Sequence, residues 1–384
     1  MTRDLYFVAA SLLTWGIGGG MIYIFQPLYI QELGADPILI GTILGVNGIA
    51  MTISHIPAGY LADRIGRRPM MWASWILGFM AAVVMAFARG LPMFVVGLLL
   101  HGLTSAVLSP LNSYVSAARG KWSVGRAVSF ISASYNAGAI IGPLLGGFVA
   151  ERFGLCWIYN LAAIFFFLSL MLILFIRPQP IENNPEQKNG KGLLRNKSFF
   201  MLLGMTFMVM FAIYLPQPLA SNFLKNQRQL SLGTIGQLGA IGNLGNVVIM
   251  LLVGQLPSQI AFTIGQIFVG VFSLLLWQGS GVTWYAIGYV FLSGYRLCRS
   301  MTLALVRPLV HEAEVGLAFG FTEAVNSLPW ILAPLLAACI YDREPSAIFP
   351  VSLALICLTI ILSLLVLRVQ AQRKLKREIP VNDD

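Results

Sequence analysis

Charged side chains are scarce in this chain. Lys, Arg, Asp and Glu together make up 10% of its 384 residues, against 57% hydrophobic residues, whereas soluble domains carry about a quarter charged residues. The mean hydropathy is +0.78. So few charges are not enough to cover a water-soluble domain of this length, and the composition predicts an integral membrane protein.

Histidine and cysteine, which often act as metal ligands and nucleophiles, are also rare, with three and four copies. The sequence shows no two-histidine metalloprotease motif, no nucleophile elbow and no nucleotide-binding P-loop pattern. We therefore expect no catalytic residue, metal or cofactor and no direct coupling to ATP, and we interpret the protein as a non-enzyme. Because the cysteines lack metal-ligand spacing, small buried hydrophobes are predicted at all four: Cys156, Cys298, Cys339 and Cys357.

Apolar stretches of about 20 residues, the length that crosses a hydrocarbon core of ~30 Å, recur twelve times. They predict an all-α, polytopic fold with twelve transmembrane helices. The first span is expected to stay in the mature protein, because it is too long for a signal peptide and no A-x-A-like cleavage site follows it. The predicted limits are 5 to 31, 38 to 62, 70 to 88, 91 to 117, 126 to 150, 154 to 177, 198 to 222, 231 to 253, 257 to 277, 282 to 308, 315 to 341 and 346 to 368.

Positive charge is unevenly distributed along the chain, whose net charge is +10. If both termini are cytoplasmic, eighteen Lys and Arg residues lie on the cytoplasmic side and five lie outside. Since short cytoplasmic loops are rich in Lys and Arg, the sequence predicts a multi-pass protein of the cell membrane with this orientation. Topology explains the excess charge, so lipid is the expected surroundings and no nucleic-acid partner is expected.

One long polar insert, PQPIENNPEQKNGKGLLRNK, divides six spans from six. Two short segments recur across it at an offset of 191: QPL at 26–28 recurs at 217–219, and GPLLGGFVAER from Gly142 recurs as APLLAACIYDR from Ala333. Such matches indicate a duplicated six-helix unit arranged as a parallel repeat. The predicted divisions are an N-terminal six-helix bundle at 1–177, a cytoplasmic linker at 178–197, a C-terminal six-helix bundle at 198–370 and a cytoplasmic tail at 371–384.

The loop between spans 2 and 3 contains the charge-dense stretch GYLADRIGRRP. This stretch closely resembles the G-x-L-a-D-r-x-G-r-r signature of the major facilitator superfamily (MFS), and with the six-plus-six arrangement the resemblance covers the whole chain. The similarity is to the 12-helix, drug/proton antiporter-like members. The gate residues that it identifies are Gly59, Asp63, Arg64, Gly66, Arg67 and Arg68.

Gly59 and Asp63 are four residues apart, so they share one helix face at the cytoplasmic end of span 2. Glycine permits close approach of another helix, and the carboxylate can stabilise the N-terminus of that helix, for which span 11 is the expected partner. We call this pair the cytoplasmic latch. For the arginines of the gate motif, the alternative to a role in the gate is that they only anchor the cytoplasmic side by their positive charge. In the second half, Ser258 stands where Asp63 would lie, so the latch is expected in the first half only.

Span 5 contains a G-x-x-x-G-P-x-x-G-G element similar to the one associated with antiporters of the family. The alternative is that its small-residue spacing reflects close helix packing alone. Span 4 departs from the antiporter pattern, because Leu98 stands where an arginine is common. The predicted interface residues in span 5 are Gly138, Gly142, Pro143, Gly146 and Gly147.

The resemblance implies rocker-switch transport, with spans 1, 4, 7 and 10 lining a central cavity. Spans 2, 5, 8 and 11 would form the sliding interface between halves, and spans 3, 6, 9 and 12 would face lipid. Aromatic and amide side chains on the cavity spans favour a bulky, mainly apolar ligand over a sugar; the alternative is that they form interfacial belts. The substrate-binding candidates are Arg296, Trp15, Tyr23, Gln26, His101, Tyr214 and Gln217.

Charges inside a membrane span are costly, and a functional role is the default hypothesis. Arg299 and Glu323 lie at matching depth, about 12 Å, on consecutive spans. Three interpretations stay open: a structural ion pair of Arg299 with Glu323, a site for an anionic or carbonyl-bearing substrate at Arg296, and proton coupling through Glu323.

The favoured function is a secondary transporter that exports a small, mainly apolar organic compound in exchange for protons. The first alternative is proton-coupled import of an organic anion or another metabolite, anchored by Arg296. A second alternative, of a different class, is a transport-inactive sensor built on the same fold. The expected partners are therefore a small-molecule solute, membrane lipid and protons.

Overall fold

The computed structural model describes residues 2–179, 193, 196–311 and 314–378; the side chains of 55–64, 108–109, 316 and 370–378 are outside this description. Within these ranges every regular element is a helix. The helices of the first half are α1 Arg3–Glu32, α2 Pro37–Ile65, α3 Arg67–Ala86, α4 Leu91–Leu103, α5 Leu108–Ala118, α6 Val124–Phe153 and α7 Cys156–Leu174. Those of the second half are α8 Lys197–Tyr214, α9 Ala220–Asn226, α10 Leu232–Leu252, α11 Ser258–Gln278, α12 Val282–Leu292, α13 Gly294–Val306, α14 Val315–Arg343 and α15 Ile348–Glu378.

Ten of the described helices are long and apolar enough to cross a membrane, and α4 with α5 provides an eleventh candidate, bent by 40°. A short 3-10 segment, Thr104–Val107, joins α4 to α5. The predicted tenth span is built from α12 and α13, which meet at Ser293. This pair is less apolar than the others because α13 contains two arginines. The all-helical, polytopic class predicted from the sequence is confirmed.

The predicted seventh span is shorter than expected, because α8 ends at Tyr214 and α9 begins at Ala220. The intervening residues, LPQPL, include Pro216 and Pro218. Proline lacks the N–H that a helix interior needs and its ring collides with the preceding turn, so the two prolines separate the helices. Elsewhere, side chains cap helix starts: the N–H of Leu5 donates to Thr2 Oγ1 at 3.4 Å and that of Phe199 donates to Asn196 Oδ1 at 3.1 Å.

Two compact units can be distinguished. The first comprises Met1–Asn184, Pro218–Leu244 and Trp330–Pro345. Its core contains fully buried Trp75, whose indole Nε1 donates to the hydroxyls of Ser11 and Ser169, each at 2.8 Å. A buried Trp needs such a partner for its N–H, so α1, α3 and α7 are fixed together at this point. Apolar side chains surround the group, including Leu5, Val8, Leu12, Tyr114, Ile131, Leu170 and Ile173.

The second unit comprises Pro185–Gln217, Gly245–Pro329 and Ser346–Asp384. In it α11 packs closely on α13 where each helix has a glycine. A Cβ at Gly265 would meet the Gly294 carbonyl oxygen at 2.8 Å. Gln266 Nε2 donates to Ser363 Oγ at 3.2 Å, joining α11 to α15. Both units draw on parts of the second half of the sequence, and the predicted division into two six-helix bundles stays a prediction.

The prediction for the cysteines is wrong for three of the four. Cys298 is buried, whereas Cys156, Cys339 and Cys357 are exposed. A thiol behaves as a small hydrophobe, and on the outer face of a membrane helix such a group meets lipid tails, which are as apolar as a protein core. An apolar residue at these three positions is therefore understandable, but the predicted burial inside the protein is wrong.

Candidate functional site

The glycines of α6 lie against the backbone of α1. A Cβ at Gly138 would overlap the carbonyl oxygen of Leu13, and one at Gly142 would overlap that of Ile17. Glycine on α1 matches this arrangement, because a Cβ at Gly20 would meet the Ala139 carbonyl oxygen at 3.0 Å. Contacts this close need small residues on both helices. The first glycines of the predicted span 5 element therefore lie at a helix contact inside the first half.

The end of the same element contacts the second half of the chain, through α10. A Cβ at Gly147 would meet the carbonyl oxygen of Leu232 at 3.0 Å, and one at Gly236 would overlap that of Pro143. Asn243 Nδ2 donates to the Ala139 carbonyl at 2.7 Å. These α10 residues were not among the predicted site residues, although the repeated glycines in GTIGQLGAIGNLG were a usable signal.

A second contact between halves joins α2 to α14. Its α2 side is a row of glycines whose added Cβ atoms would overlap or closely meet carbonyl oxygens of α14: Gly41 at Pro334, Gly45 at Ile331 and Gly48 at Trp330. This row was not predicted from the sequence either. Span 2 thus contacts span 11, and span 5 contacts span 8; their role as a sliding interface stays a prediction.

The gate motif is only partly described. The side chains of Gly59, Asp63 and Arg64 lie outside the described residues, so the cytoplasmic latch stays a prediction. Gly66 separates α2 from α3 with a φ of 93°, a conformation that favours glycine. The guanidinium of Arg68 lies 3.9 Å from the centre of the Trp72 ring, so this arginine makes a cation–π contact on α3.

Three predicted substrate residues come together in one aromatic cluster. The ring of His101 on α4 lies 6.2 Å from that of Trp15 and 6.1 Å from that of Tyr23, both on α1. Phe166 of α7 packs edge-on against Trp15 with ring centres 4.6 Å apart. Gly78 provides room for this indole, because a Cβ there would overlap it. We call the four side chains of Trp15, Tyr23, His101 and Phe166 the aromatic cluster.

Exposure differs within this cluster. Tyr23 is 51% exposed and His101 is 6% exposed, so the tyrosine ring forms the accessible edge. The remaining predicted substrate residues are described each in its own surroundings. Gln26 is 4% exposed, Gln217 Nε2 donates to the Ile213 carbonyl at 2.7 Å, and Tyr214 stacks near Tyr295 with ring centres 5.5 Å apart.

In the second unit, Arg299 of α13 and Glu323 of α14 form an ion pair, with Nη2 and Oε2 2.6 Å apart. The pair is partly accessible, since the two side chains are 26% and 40% exposed. Arg296, one turn earlier on α13, is exposed. The geometry agrees with the matching depths read from the sequence, and the roles of the three residues stay predictions.

Asn326 is a buried polar residue that was not predicted from the sequence. It lies three positions after Glu323 on α14 and is fully buried. Within the described part of the chain, neither atom of its side-chain amide has a hydrogen-bond partner. A buried amide of this kind is expensive, and a single Asn in an apolar span was the signal that could have identified it.

The all-helical fold, with ten described helices long and apolar enough to cross a membrane, defines a polytopic membrane protein. The family model of the Major Facilitator Superfamily matches residues 8–334. The chain therefore belongs to the major facilitator superfamily, as the sequence motifs predicted. Transport of small-molecule solutes across a membrane is the activity of this family.

Curated relatives and solved structures show further similarities. The chain is 26% identical over 217 residues to the multidrug resistance protein MdtG of Rahnella sp. (strain Y9602), covering 54% of this chain and 53% of the relative. It is 25% identical over 227 residues to the multi-drug resistance efflux pump PmrA of Streptococcus pneumoniae, covering 56% of each. The first curated relatives are matched over only 40 to 56% of their own length. The nucleoside transporter NupG, in a mutant form, superposes with a TM-score of 0.81 at 13% identity, covering 96% of this chain and 99% of the other, which reflects a shared fold.

Proposed function

We propose that this protein exports small, mainly apolar organic compounds from the cytoplasm in exchange for protons, with both termini on the cytoplasmic side of the cell membrane. The observation that carries the substrate class is the aromatic cluster with its accessible Tyr23. Aromatic rings with few polar groups suit apolar ligands. Export is supported by the names of two relatives, a multidrug resistance protein and a multi-drug efflux pump.

The proposed mechanism is rocker-switch alternating access. Rows of glycines leave few side chains to interlock at the α6–α10 and α2–α14 contacts, so paired helices can change their angle with little repacking. Asp63 would stabilise the state in which the cytoplasmic side is closed. This role rests on the motif, since that side chain lies outside the described residues.

Proton coupling is proposed to use Glu323. A coupling carboxylate has to exchange protons with water, and the 40% exposure of the Glu323 side chain satisfies this condition. Protonation would remove its charge and weaken the contact with Arg299, so the stability of the α13–α14 pair would depend on proton binding. A purely structural ion pair is the competing explanation.

Import of an organic anion is the second candidate function. It is favoured by Arg296, which is exposed although the sequence puts it near the middle of a span. An exposed guanidinium there could bind a carboxylate through two parallel hydrogen bonds. A transport-inactive sensor is the third possibility, and no feature of the described residues favours it.

The test is substrate flux in proteoliposomes with an imposed pH gradient, comparing lipophilic cations with organic anions of similar size. Proton-driven movement of lipophilic cations, with protons moving in the opposite direction, is expected. Gradient-driven uptake of anions alone would favour the Arg296 alternative. Movement of either class without any response to the gradient would rule out proton exchange.

A further inference from the structure

A carboxylate from the first half caps a helix of the second half. Glu151 lies near the C-terminal end of α6, and its Oε2 accepts a hydrogen bond from the N–H of Gly233 at 3.0 Å. Gly233 is the second residue of α10. The first N–H groups of a helix have no partner within the helix and carry its positive dipole end, so an ionised carboxylate stabilises this position.

The neighbouring groups show that the cap is shared between the halves. Ser231 of the second half accepts a hydrogen bond from the Thr234 N–H at 3.1 Å, as a local N-cap. Glu151 takes the adjacent N–H, and the Ser231 hydroxyl lies 3.5 Å from the same carboxylate oxygen. A Cβ at position 233 would overlap Glu151 Oε2, so a larger residue there would displace this carboxylate. The Gly233 N–H, one donor of the first turn of α10, is thus bound by a side chain of the first half.

The Glu151–Gly233 hydrogen bond lies at one end of the α6–α10 contact. The sequence predicts that this end is extracellular. The contact begins at Asn243, which donates to the Ala139 carbonyl, and it ends at Gly233. Ten residues of α10 separate them, about 15 Å of helix. Between them mainly glycines and backbone groups meet, and Glu151 contributes a carboxylate side chain at the end of this contact.

The repeat offers a carboxylate at the equivalent position, but the structure uses it differently. At the offset of 191, Asp342 corresponds to Glu151, and the N-terminus of α2 would be the helix for it to cap. The local cap is the same in both helices, because Asp36 Oδ1 accepts a hydrogen bond from the Leu39 N–H at 2.7 Å, as Ser231 does from the Thr234 N–H in α10. Asp342 itself is exposed. Among the described residues, the cross-half cap is thus found only for Glu151 of the first half.

We propose that Glu151 is the outer counterpart of the cytoplasmic latch, a positioning residue that holds α6 and α10 together when the outer side is closed. The inference rests on the rocker-switch transport proposed above. Both latches then come from the first half: the motif assigns Asp63 to the start of span 11, and Glu151 caps the start of α10. Their relative strength sets how the transporter divides its time between its two open states.

The test is access of a membrane-impermeant maleimide to a reporter cysteine. The four native cysteines are first replaced, and Ile24 of α1 is changed to Cys. Ile24 Cδ1 lies against Gly239 of α10. We therefore expect α10 to cover this position when the outer side of the transporter is closed. Labelling is measured from each side of oriented membrane vesicles, after size-exclusion chromatography has confirmed that each variant is folded.

Glu151→Gln is expected to raise the labelling rate from the outer side about two- to five-fold, the range set by one carboxylate at a helix N-terminus. Asp342→Asn is the matched control and should leave the rate unchanged. In a further variant, Glu151→Gln combined with Ser231→Asp, α10 receives a carboxylate of its own. Because this cap does not join the halves, fast labelling should persist.

Unchanged labelling in Glu151→Gln, an equal effect in Asp342→Asn, or a return to slow labelling with Ser231→Asp would each overturn the proposal. The last result would mean that Glu151 only stabilises α10. Since the assay uses no substrate, it separates the latch from the proposed drug–proton exchange: flux experiments can fail while the labelling difference persists, and the reverse.

Discussion

Arg299 Nη2 and Glu323 Oε2 lie 2.6 Å apart and form an ion pair that joins α13 to α14. Both side chains are partly exposed. A sealed ion pair would serve stability alone, whereas an accessible one can exchange protons with water. The distance supports a strong contact, and the exposure allows it to be switched.

Replacing Glu323 with Gln should abolish proton-driven flux while substrate exchange at equal pH persists, because the amide cannot release a proton. Proteoliposome flux with and without a pH gradient measures both. Ser327→Ala, one turn further on the same helix, is the control and should retain coupling. If Glu323→Gln keeps full coupling, the pair is structural.

Replacing Asp63 with Asn should leave the protein more open to the cytoplasm and slow turnover, because the carboxylate at the predicted latch loses its charge. The expected shift is about two- to five-fold in cytoplasmic thiol labelling, from a contribution of ~0.3 to 1 kcal/mol at a helix N-terminus. Ser258→Asn, at the equivalent position of the second half, should have no effect. Equal labelling of the Asp63→Asn variant and the parent would refute the latch.

Changing Gly142 to Leu should disrupt the packing of α6 on α1, because even a Cβ would overlap the Ile17 carbonyl oxygen. Overpacking of this kind costs about 1 to 3 kcal/mol, so a lower thermal midpoint and a smaller yield of folded protein are expected. Gly125 is the control on the same helix, since it has no neighbour within 4 Å. If Gly125→Leu were as unstable as Gly142→Leu, the loss of stability could not be assigned to the α6–α1 contact, because leucine forms helices better than glycine does.

Trp15→Ala should weaken transport of apolar substrates, because the indole makes contacts with Phe166 and His101. An aromatic contact contributes about 0.5 to 1.5 kcal/mol, so the half-saturating concentration should rise about two- to twelve-fold. Trp157, which is 55% exposed, provides a control substitution of the same size. Equal effects of the two changes would remove the aromatic cluster from the proposed substrate site.

Arg296→Gln distinguishes the two candidate functions. If the protein exports apolar compounds, flux of lipophilic cations should persist in this variant, since a guanidinium attracts anions. If it imports an organic anion, uptake should fall by about tenfold or more, because a charge-assisted hydrogen bond contributes about 1.5 to 3 kcal/mol. Arg343→Gln, at an exposed helix end, controls for loss of one positive charge.

Much of the fold was predictable because a membrane imposes simple rules. Every backbone polar group has to be bonded internally in lipid, so apolar runs of the right length become helices, as they do at α1, α3, α7 and α15. The interruptions were less predictable. The break at Ser293 and the 3-10 segment at Thr104–Val107 depend on packing that hydropathy does not encode, whereas the two prolines before α9 were a visible signal.

The candidate site was predictable in its residues more than in its contacts. Trp15, Tyr23 and His101 were selected one by one for their chemistry, and the structure brings them together. Arg299 and Glu323 were paired by counting residues along two helices. The partners of the α6 glycines, and the cap that Glu151 provides for α10, could not be read in this way, because they join residues about 80 or more apart.

The sequence by itself determined the helical membrane fold and the family, because these depend on local hydropathy and on motifs with fixed spacing. Tertiary structure decided which repeated features are used. Glu151 and Asp342 occupy the same place in their repeats, and α10 and α2 each have a local cap, yet in the described part of the chain only Glu151 bonds the start of the opposite helix. A backbone N–H at a helix start can be bound by whichever carboxylate lies within hydrogen-bond distance, and only the folded chain sets that distance.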